Sequence, residues 1–239
     1  MMNKKTLFTG GSGLLGKEFK KILPEIDYPS SKDFNIMNYE QMENYIKGTQ
    51  YNILIHAAAF TSPPKIDQNP LLAIDTNIIG TANVVKICMK HNIKLIYIST
   101  DYVFNGEKGN YKEDDPVYPV NKYAWSKLGG ECAVRLYDNS LIIRTSFGPN
   151  VFPYEKAFID QWTSRESVEK IANMIAALLD KDVTGVVHVG GPRKTVFEYA
   201  KSLSPQKNIK PISIHQMNFT IPKDTSLNVE RFKYITKNG

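Results

Sequence analysis

The chain has 239 residues, enough for one large domain or for one domain with a small appended lobe. With 42% hydrophobic and 23% charged residues it is neither a disordered chain nor a fibrous one. The net charge of +6 comes from lysines and arginines spread along the whole length, with no basic run interleaved with aromatics, so nucleic acid is not an expected partner. No apolar run is expected to reach the length of a membrane span, and residues 1–11 lack the apolar stretch of a secretion signal. Cys88 and Cys132 form no CxxC pair and read as packed thiols in a reducing compartment, so a cytoplasmic protein without a membrane partner is expected. The four histidines, at 56, 91, 188 and 215, have no metal-ligand spacing, and no metal is expected.

The predicted elements alternate in type. Residues 4–9 read as a buried strand ending in glycines. Residues 14–23 have helical spacing, with Leu15, Phe19, Ile22 and Leu23 on one side and Pro24 closing the helix. A short strand at 26–28 leads into a turn at Pro29-Ser30-Ser31, and a helix follows over 39–47. Residues 52–57 are a continuous apolar run, the pattern of a parallel strand buried on both faces. Then come a long helix over 71–91, a strand over 94–99, a helix over 119–137 and a strand over 140–144. A helix over 166–179, a strand over 186–189 and a helix over 196–203 complete the series. This alternation predicts an α/β fold, a doubly wound parallel sheet with helices on both faces. The last thirty residues, with Pro205, Pro211 and Pro222, show no such pattern.

Between the first strand and first helix stands Thr9-Gly10-Gly11-Ser12-Gly13-Leu14-Leu15-Gly16. A Rossmann-type dinucleotide loop needs glycine three times: for a tight turn, for backbone approach to a diphosphate, and for close helix–strand packing. Gly10, Ser12, Gly13, Leu14, Leu15 and Gly16 are therefore candidate cofactor contacts, with main-chain N–H groups and the helix dipole holding the diphosphate. Asp27 could bind the 2′-hydroxyl of NAD. Ser31 and Lys32, beside Ser30, could instead hold a 2′-phosphate. The reading favours NADP and keeps NAD as the alternative.

Tyr123-Ala124-Trp125-Ser126-Lys127 places a phenol and an ammonium four residues apart, on one face of a helix. A free tyrosine titrates near 10, and a neighbouring cation stabilises its phenolate. A hydroxyl from another strand end would complete a proton-transfer group, and Ser99-Thr100-Asp101 supplies it. Thr100, Tyr123 and Lys127 are the candidate catalytic residues. His56 ends a buried strand and reads as a packed histidine. Arg144 could pair with an acid or with a substrate phosphate.

These residues, with His56-Ala57-Ala58-Ala59-Phe60-Thr61, Asn77-Ile78-Ile79-Gly80-Thr81-Ala82-Asn83, Ile98-Ser99-Thr100-Asp101-Tyr102-Val103-Phe104-Asn105-Gly106, Leu128-Gly129-Gly130-Glu131 and Ile143-Arg144-Thr145-Ser146, resemble the extended short-chain dehydrogenases/reductases. The similarity is to the dTDP-4-dehydrorhamnose reductase family, over roughly the first 150 residues. It implies reduction of a 4-keto group on a nucleotide-diphosphate 6-deoxy sugar, with Tyr123 as proton donor. Lys127 would tune Tyr123 and hold the nicotinamide ribose, and Thr100 would bond the developing alkoxide. Asp101 and Phe104 would meet the sugar, and Ala57, Ala58 and Thr61 would line the cofactor groove. Asn77 would stabilise neighbouring backbone.

The resemblance has gaps. Asn35 stands where an aspartate usually meets the adenine, Pro63-Pro64-Lys65 replaces an acidic stretch, and Trp162-Thr163-Ser164-Arg165 replaces a Gly-x-Pro-Thr. The segment from Ser146 to Asp160 is short. The expected organisation is a dinucleotide-binding domain over 1–146, its sheet completed by about 166–203, with a shortened substrate lobe over 147–239. Two alternatives follow from the same resemblance. One is a nucleotide-binding regulatory module without turnover, like the regulatory subunit of methionine adenosyltransferase. The other is a nucleotide-sugar epimerase, which would call for a cysteine that residues 99–110 lack. A homodimer is left open.

Overall fold

The protein is described by a computed structural model covering residues 4–217 and 221–238. Its chain divides into two compact units. One comprises residues 1–99, 121–143 and 182–186, the other 100–120, 144–181 and 187–239.

The central sheet has five strands in the order β1 (Thr6–Thr9), β2 (Ile53–His56), β3 (Lys94–Ile98), β4 (Ser140–Thr145) and the strand Gly185–Val189. The ladders β1–β2, β2–β3 and β3–β4 are parallel, with Leu7 opposite Leu54, Leu54 opposite Leu95 and Tyr97 opposite Ile142. All of β1, β2 and β4 is buried, as continuous apolar runs require when helices cover both faces. On one face Leu7, Leu54, Leu95 and Tyr97 pack with Met42, Val84, Ile87 and Cys88 from two helices. On the other, Phe8 meets Phe19 of the first helix, α1 (Leu14–Ile22), at 5.0 Å between ring centroids.

Several predicted elements change extent, each for a local reason. The strand at 26–28 contracts to a single parallel bridge between Leu7 and Asp27, since Pro29 has no N–H with which to extend the ladder. Lys122–Val134 replaces the longer helix over 119–137, because the Asn121 side chain caps it by accepting from the Ala124 N–H at 2.8 Å. Ser167 likewise starts the helix Val168–Ala176, leaving Glu166–Ser167 as a short strand beside Phe147–Gly148. Pro63 and Pro64, which stand in place of an acidic stretch, open a helix, Pro63–Gln68.

The helix over 71–91 is continuous but changes type: α over Leu71–Ala73, π over Ile74–Gly80, α over Thr81–His91. At 21 residues it is long and apolar enough to cross a membrane by length and composition, which corrects the expectation that no segment reaches that size. Here its Val84, Ile87 and Cys88 side belongs to the core of the first unit. Asn77, inside the π segment, accepts from the Phe60 N–H at 2.7 Å and donates to the Phe60 carbonyl at 3.0 Å. It also donates to Ser126 Oγ at 2.8 Å, so its role is to fix backbone and the neighbouring helix.

The second unit has its own small core, where Phe152, Ala157 and Ile209 surround the helix Val196–Leu203. That helix begins with a capping box between Thr195 and Glu198. Strand Lys156–Phe158 pairs in parallel with Lys210–Ile212, and Trp162–Thr163 pairs antiparallel with Lys194–Thr195.

Candidate active site

The glycine loop is built against the end of β2. Gly10 has φ +82°, and a Cβ there would stand 2.8 Å from Ala58 N and 2.9 Å from the Ala57 carbonyl carbon. No other residue meets both demands, of conformation and of space. Thr9 Oγ1 joins the same two segments by accepting from the Ala58 N–H at 3.3 Å. A Cβ on Gly16 would fall 2.5 Å from Gly11 Cα, so the helix can approach the turn only with glycine there. Gly13 is the N-cap of α1; no side chain caps the helix and its first turn carries no acid. The positive end of the helix and its first N–H groups are thus left to an outside anion. Leu15 and Gly16 are buried while Ser12, Gly13 and Leu14 are exposed, so the loop offers backbone rather than side chains.

Strand order places this loop at a switch point. β1 bridges to Asp27 on one side and pairs with β2 on the other. In open α/β sheets the crevice beyond the strand ends at such a point is where ligands sit. The loop, its bare helix end and this position fit the diphosphate of a dinucleotide.

The residues expected near the adenosine end are distributed unevenly. The Asp27 carboxylate accepts from the Tyr51 hydroxyl at 2.5 Å, and its residue pairs with Leu7, three positions before Gly10. Ser30 donates to Asp33 at 2.5 Å, and its Oγ accepts from the Lys32 N–H. Ser31, Lys32 and Thr61 are exposed; Asn35, Ala57 and Ala58 are half-buried. Asn35 Oδ1 turns back to its own chain, accepting from the Met37 N–H at 3.0 Å.

Tyr123 and Lys127 lie one turn apart on Lys122–Val134, the phenol half-buried and the lysine only 3% exposed. Lys127 Nζ donates to the Ile98 carbonyl at 2.8 Å and stands 4.1 Å from the centroid of the Tyr97 ring. The Tyr97 hydroxyl in turn donates to the Lys127 carbonyl at 3.1 Å. Burial pushes the ammonium down to about 7, against the charge of Glu131, which favours the protonated form. Glu131 is fully buried and accepts from Ser99 Oγ at 2.9 Å and from Arg135 at 3.2 Å. His56 is packed as expected, its ring nitrogens 2.8 Å from Thr9 Oγ1 and 3.1 Å from Thr81 Oγ1. Burial, then the Lys127 charge, pushes its imidazole down to about 3, so it is neutral.

The hydroxyl strand end belongs to the second unit from Thr100 onward. Thr100 Oγ1 accepts from the Tyr102 N–H at 3.2 Å and lies 3.3 Å from Asp101 Oδ1 as donor. Asp101 is buried and accepts from Thr225 Oγ1 at 2.7 Å. Burial raises its carboxyl to about 6, opposed first by the Arg165 charge. Phe104 has no exposed surface: Tyr111 stacks on it at 4.2 Å, the Arg144 guanidinium stands 5.1 Å from its centroid and His188 meets it edge-on. In this structure the ring expected to touch sugar is a core ring. Arg144 is fully buried as well and donates to the Glu113 carbonyl at 3.2 Å.

Two residues carry more than sequence reasoning gave them. Glu131 sits one turn beyond Lys127, a spacing that could have flagged it. Arg165 is half-buried and its Nε donates to Ser146 Oγ at 3.1 Å, while the described residues put no carboxylate within ion-pair distance of it. Its charge lowers Asp101, Tyr102 and Tyr199 alike. In the sequence Arg165 stands only as part of the departure from Gly-x-Pro-Thr.

A family model described as RmlD substrate binding domain matches residues 4–236. The dTDP-4-dehydrorhamnose reductase of Aggregatibacter actinomycetemcomitans is 30% identical over 198 aligned residues, which cover 79% of this chain and 62% of that one. The chain thus spans less than two thirds of that relative. The bovine (Bos taurus) methionine adenosyltransferase 2 subunit beta is 26% identical over 255 residues, covering 88% of this chain and 76% of that one. The dTDP-4-dehydrorhamnose reductase of Bacillus anthracis, solved in complex with NADP, superposes with a TM-score of 0.87 at 28% identity, over 98% of this chain and 92% of that one.

Proposed function

The chain belongs to the RmlD substrate binding domain family, and on that premise we propose that it is an NADP-dependent reductase of a nucleotide-activated 4-keto-6-deoxy sugar, acting in deoxysugar biosynthesis. The observation that carries the reading is the helix Lys122–Val134, which presents Tyr123 and a buried Lys127 from the unit that holds the glycine loop. Similarity to two dTDP-4-dehydrorhamnose reductases, one of them NADP-bound, supports the substrate class and the cofactor.

When held by the glycine loop, a nicotinamide cofactor would supply hydride for the keto carbon. Every other task falls to the chain. Main-chain N–H groups of Ser12 to Gly16 and the bare end of α1 bind the diphosphate, with Gly10 keeping the turn against Ala57 and Ala58. The Tyr51 hydroxyl takes one oxygen of Asp27. The exposed Ser31 and Lys32 would hold a 2′-phosphate and Asn35 and Thr61 would border the groove, and the likeness to an NADP-bound reductase supports NADP as the preferred form. Tyr123 gives its proton to the keto oxygen. The positive charge of Lys127 favours the phenolate that remains, and the same group orients the ribose. Thr100 donates to the developing alkoxide. Asp101, tied to Thr225, positions Thr100 rather than reaching the sugar, and Phe104 supports that loop from within. Arg165, a half-buried forked cation with no carboxylate within ion-pair distance among the described residues, is suited to the substrate diphosphate.

A second reading has its own support. The methionine adenosyltransferase 2 subunit beta is similar over a larger share of the chain, which favours a binding module that regulates a partner. One assay separates the two. Purified protein is given NADPH and a panel of nucleotide 4-keto-6-deoxy sugars. Oxidation of NADPH dependent on one of the sugars is the expected result. Cofactor binding with no turnover across the panel favours the module.

A further inference from the structure

Lys127 is only 3% exposed, so its charge, when it is protonated, must be held largely by the protein. Its direct contacts are a carbonyl oxygen at 2.8 Å and the face of the Tyr97 ring. Both are dipolar or quadrupolar partners, and neither neutralises a full charge. Among the described residues, the carboxylate whose charge acts on Lys127 is Glu131. It lies four residues beyond Lys127 and hence on the same side of the helix. It has no exposed surface, and Ser99 Oγ fixes it from the end of β3 at 2.9 Å. Arg135, half exposed, holds its other oxygen from the solvent side at 3.2 Å.

We propose that Glu131 is a positioning residue for Lys127: its buried carboxylate, locked by Ser99, is the counter-charge that keeps the lysine an ammonium above Tyr97. The inference rests on the reductase reading only for its consequence, that the cation favours a Tyr123 phenolate. The charge relationship itself is independent of that reading. Within this unit the titratable groups facing the pair are Tyr97 from β3, His56 from β2, and Tyr123, Cys132 and Arg135 from the helix. His56 is neutral, so it adds no competing charge. Arg135 opposes Glu131 and weakens its hold. Glu131 raises the lysine toward its ordinary value, whereas burial lowers it to about 7.

The test uses the whole protein without ligands. The Cε carbon of Lys127, labelled with ¹³C-lysine and assigned by its loss in Lys127→Met, is titrated by NMR. The wild type is expected to titrate near 7. Glu131→Gln keeps the shape and the bond to Ser99 but removes the charge, and the midpoint should fall by about one to two pH units. Arg135→Gln, altering a half-exposed residue, should move it upward and remains informative if Glu131→Gln does not fold. In turnover, the alkaline limb of kcat should move down with the midpoint in Glu131→Gln, with rates recovering at lower pH. A structural defect would lower the rate equally at every pH. An unmoved Lys127 midpoint in Glu131→Gln, or a downward move in Arg135→Gln, overturns the proposal. Shifted midpoints in a protein that turns over no sugar would leave it standing and count against the reductase reading alone.

Discussion

Lys127 Nζ stands 4.1 Å from the centroid of the Tyr97 ring, and the Tyr97 hydroxyl closes the contact by donating to the Lys127 carbonyl. The pair ties the helix carrying Tyr123 to the third strand at the cost of a buried charge. In an unfolded chain the lysine titrates near 10.4, while in the folded protein it is held down to about 7. Between these values the unfolded state binds more protons, so this group makes stability rise with pH from about 7 to 10. Below 7 the penalty is full. Lys127→Met should remove that rise, giving a variant more stable by roughly 1–4 kcal/mol near neutrality, in the range for apolar replacement of buried charge, and without turnover. Urea unfolding at a series of pH values checks this; an unchanged slope would contradict it.

Tyr123→Phe keeps the ring and removes the proton. The sugar-dependent rate should fall by about 10²–10⁴-fold, the usual contribution of a positioned acid, while NADPH affinity changes little. Equal rates in the two proteins would remove Tyr123 from the reaction.

The glycine loop gives a contrast between two residues of similar backbone. Gly10 and Gly48 have φ of +82° and +85°, but a Cβ on Gly10 would collide with the Ala57–Ala58 backbone whereas one on Gly48 meets nothing within 4 Å. Gly48→Ala should cost about 1 kcal/mol, the conformational penalty alone. Gly10→Ala should cost more than about 2 kcal/mol and should abolish cofactor binding, read by cofactor fluorescence.

His56 sets an acid limit. Its folded value of about 3 lies below the 6.5 of a free imidazole, so its contribution to stability is complete above 6.5 and is lost as pH falls from there toward 3. Asp101, raised to about 6, acts in the opposite sense as pH falls through 6. His56→Gln should flatten the loss of stability in acid, measured as the melting temperature at falling pH. A steeper loss would show that another group sets the limit.

Much of this was legible locally. The Gly10–Gly16 loop, the Tyr123–Lys127 spacing and the apolar strands β2 and β4 are short-range patterns, and the chain folds as they dictate. What escaped was set by distant neighbours or by single side-chain caps. The family resemblance implies Phe104 as a sugar contact, but Tyr111, Arg144 and His188 enclose it, and no short window of sequence holds all three. Asp101 is claimed by Thr225, more than a hundred residues away. The π segment over Ile74–Gly80 has the same apolar spacing as an α-helix; its irregularity shows only once Asn77 is seen bonding Phe60. The burial of Glu131 depends on its bond to Ser99, thirty-two residues away, and so is not visible in the local sequence.

The central claim is that hydride passes to a sugar keto carbon while Tyr123 delivers the proton. The most direct measurement follows deuterium from 4-deuterated NADPH into the product of a nucleotide 4-keto-6-deoxy sugar by mass spectrometry and NMR. One deuterium at C4 of the sugar in the wild type, and almost none in the same time with Tyr123→Phe, is the result expected. A protein that binds the labelled cofactor and leaves every such sugar unlabelled would contradict it.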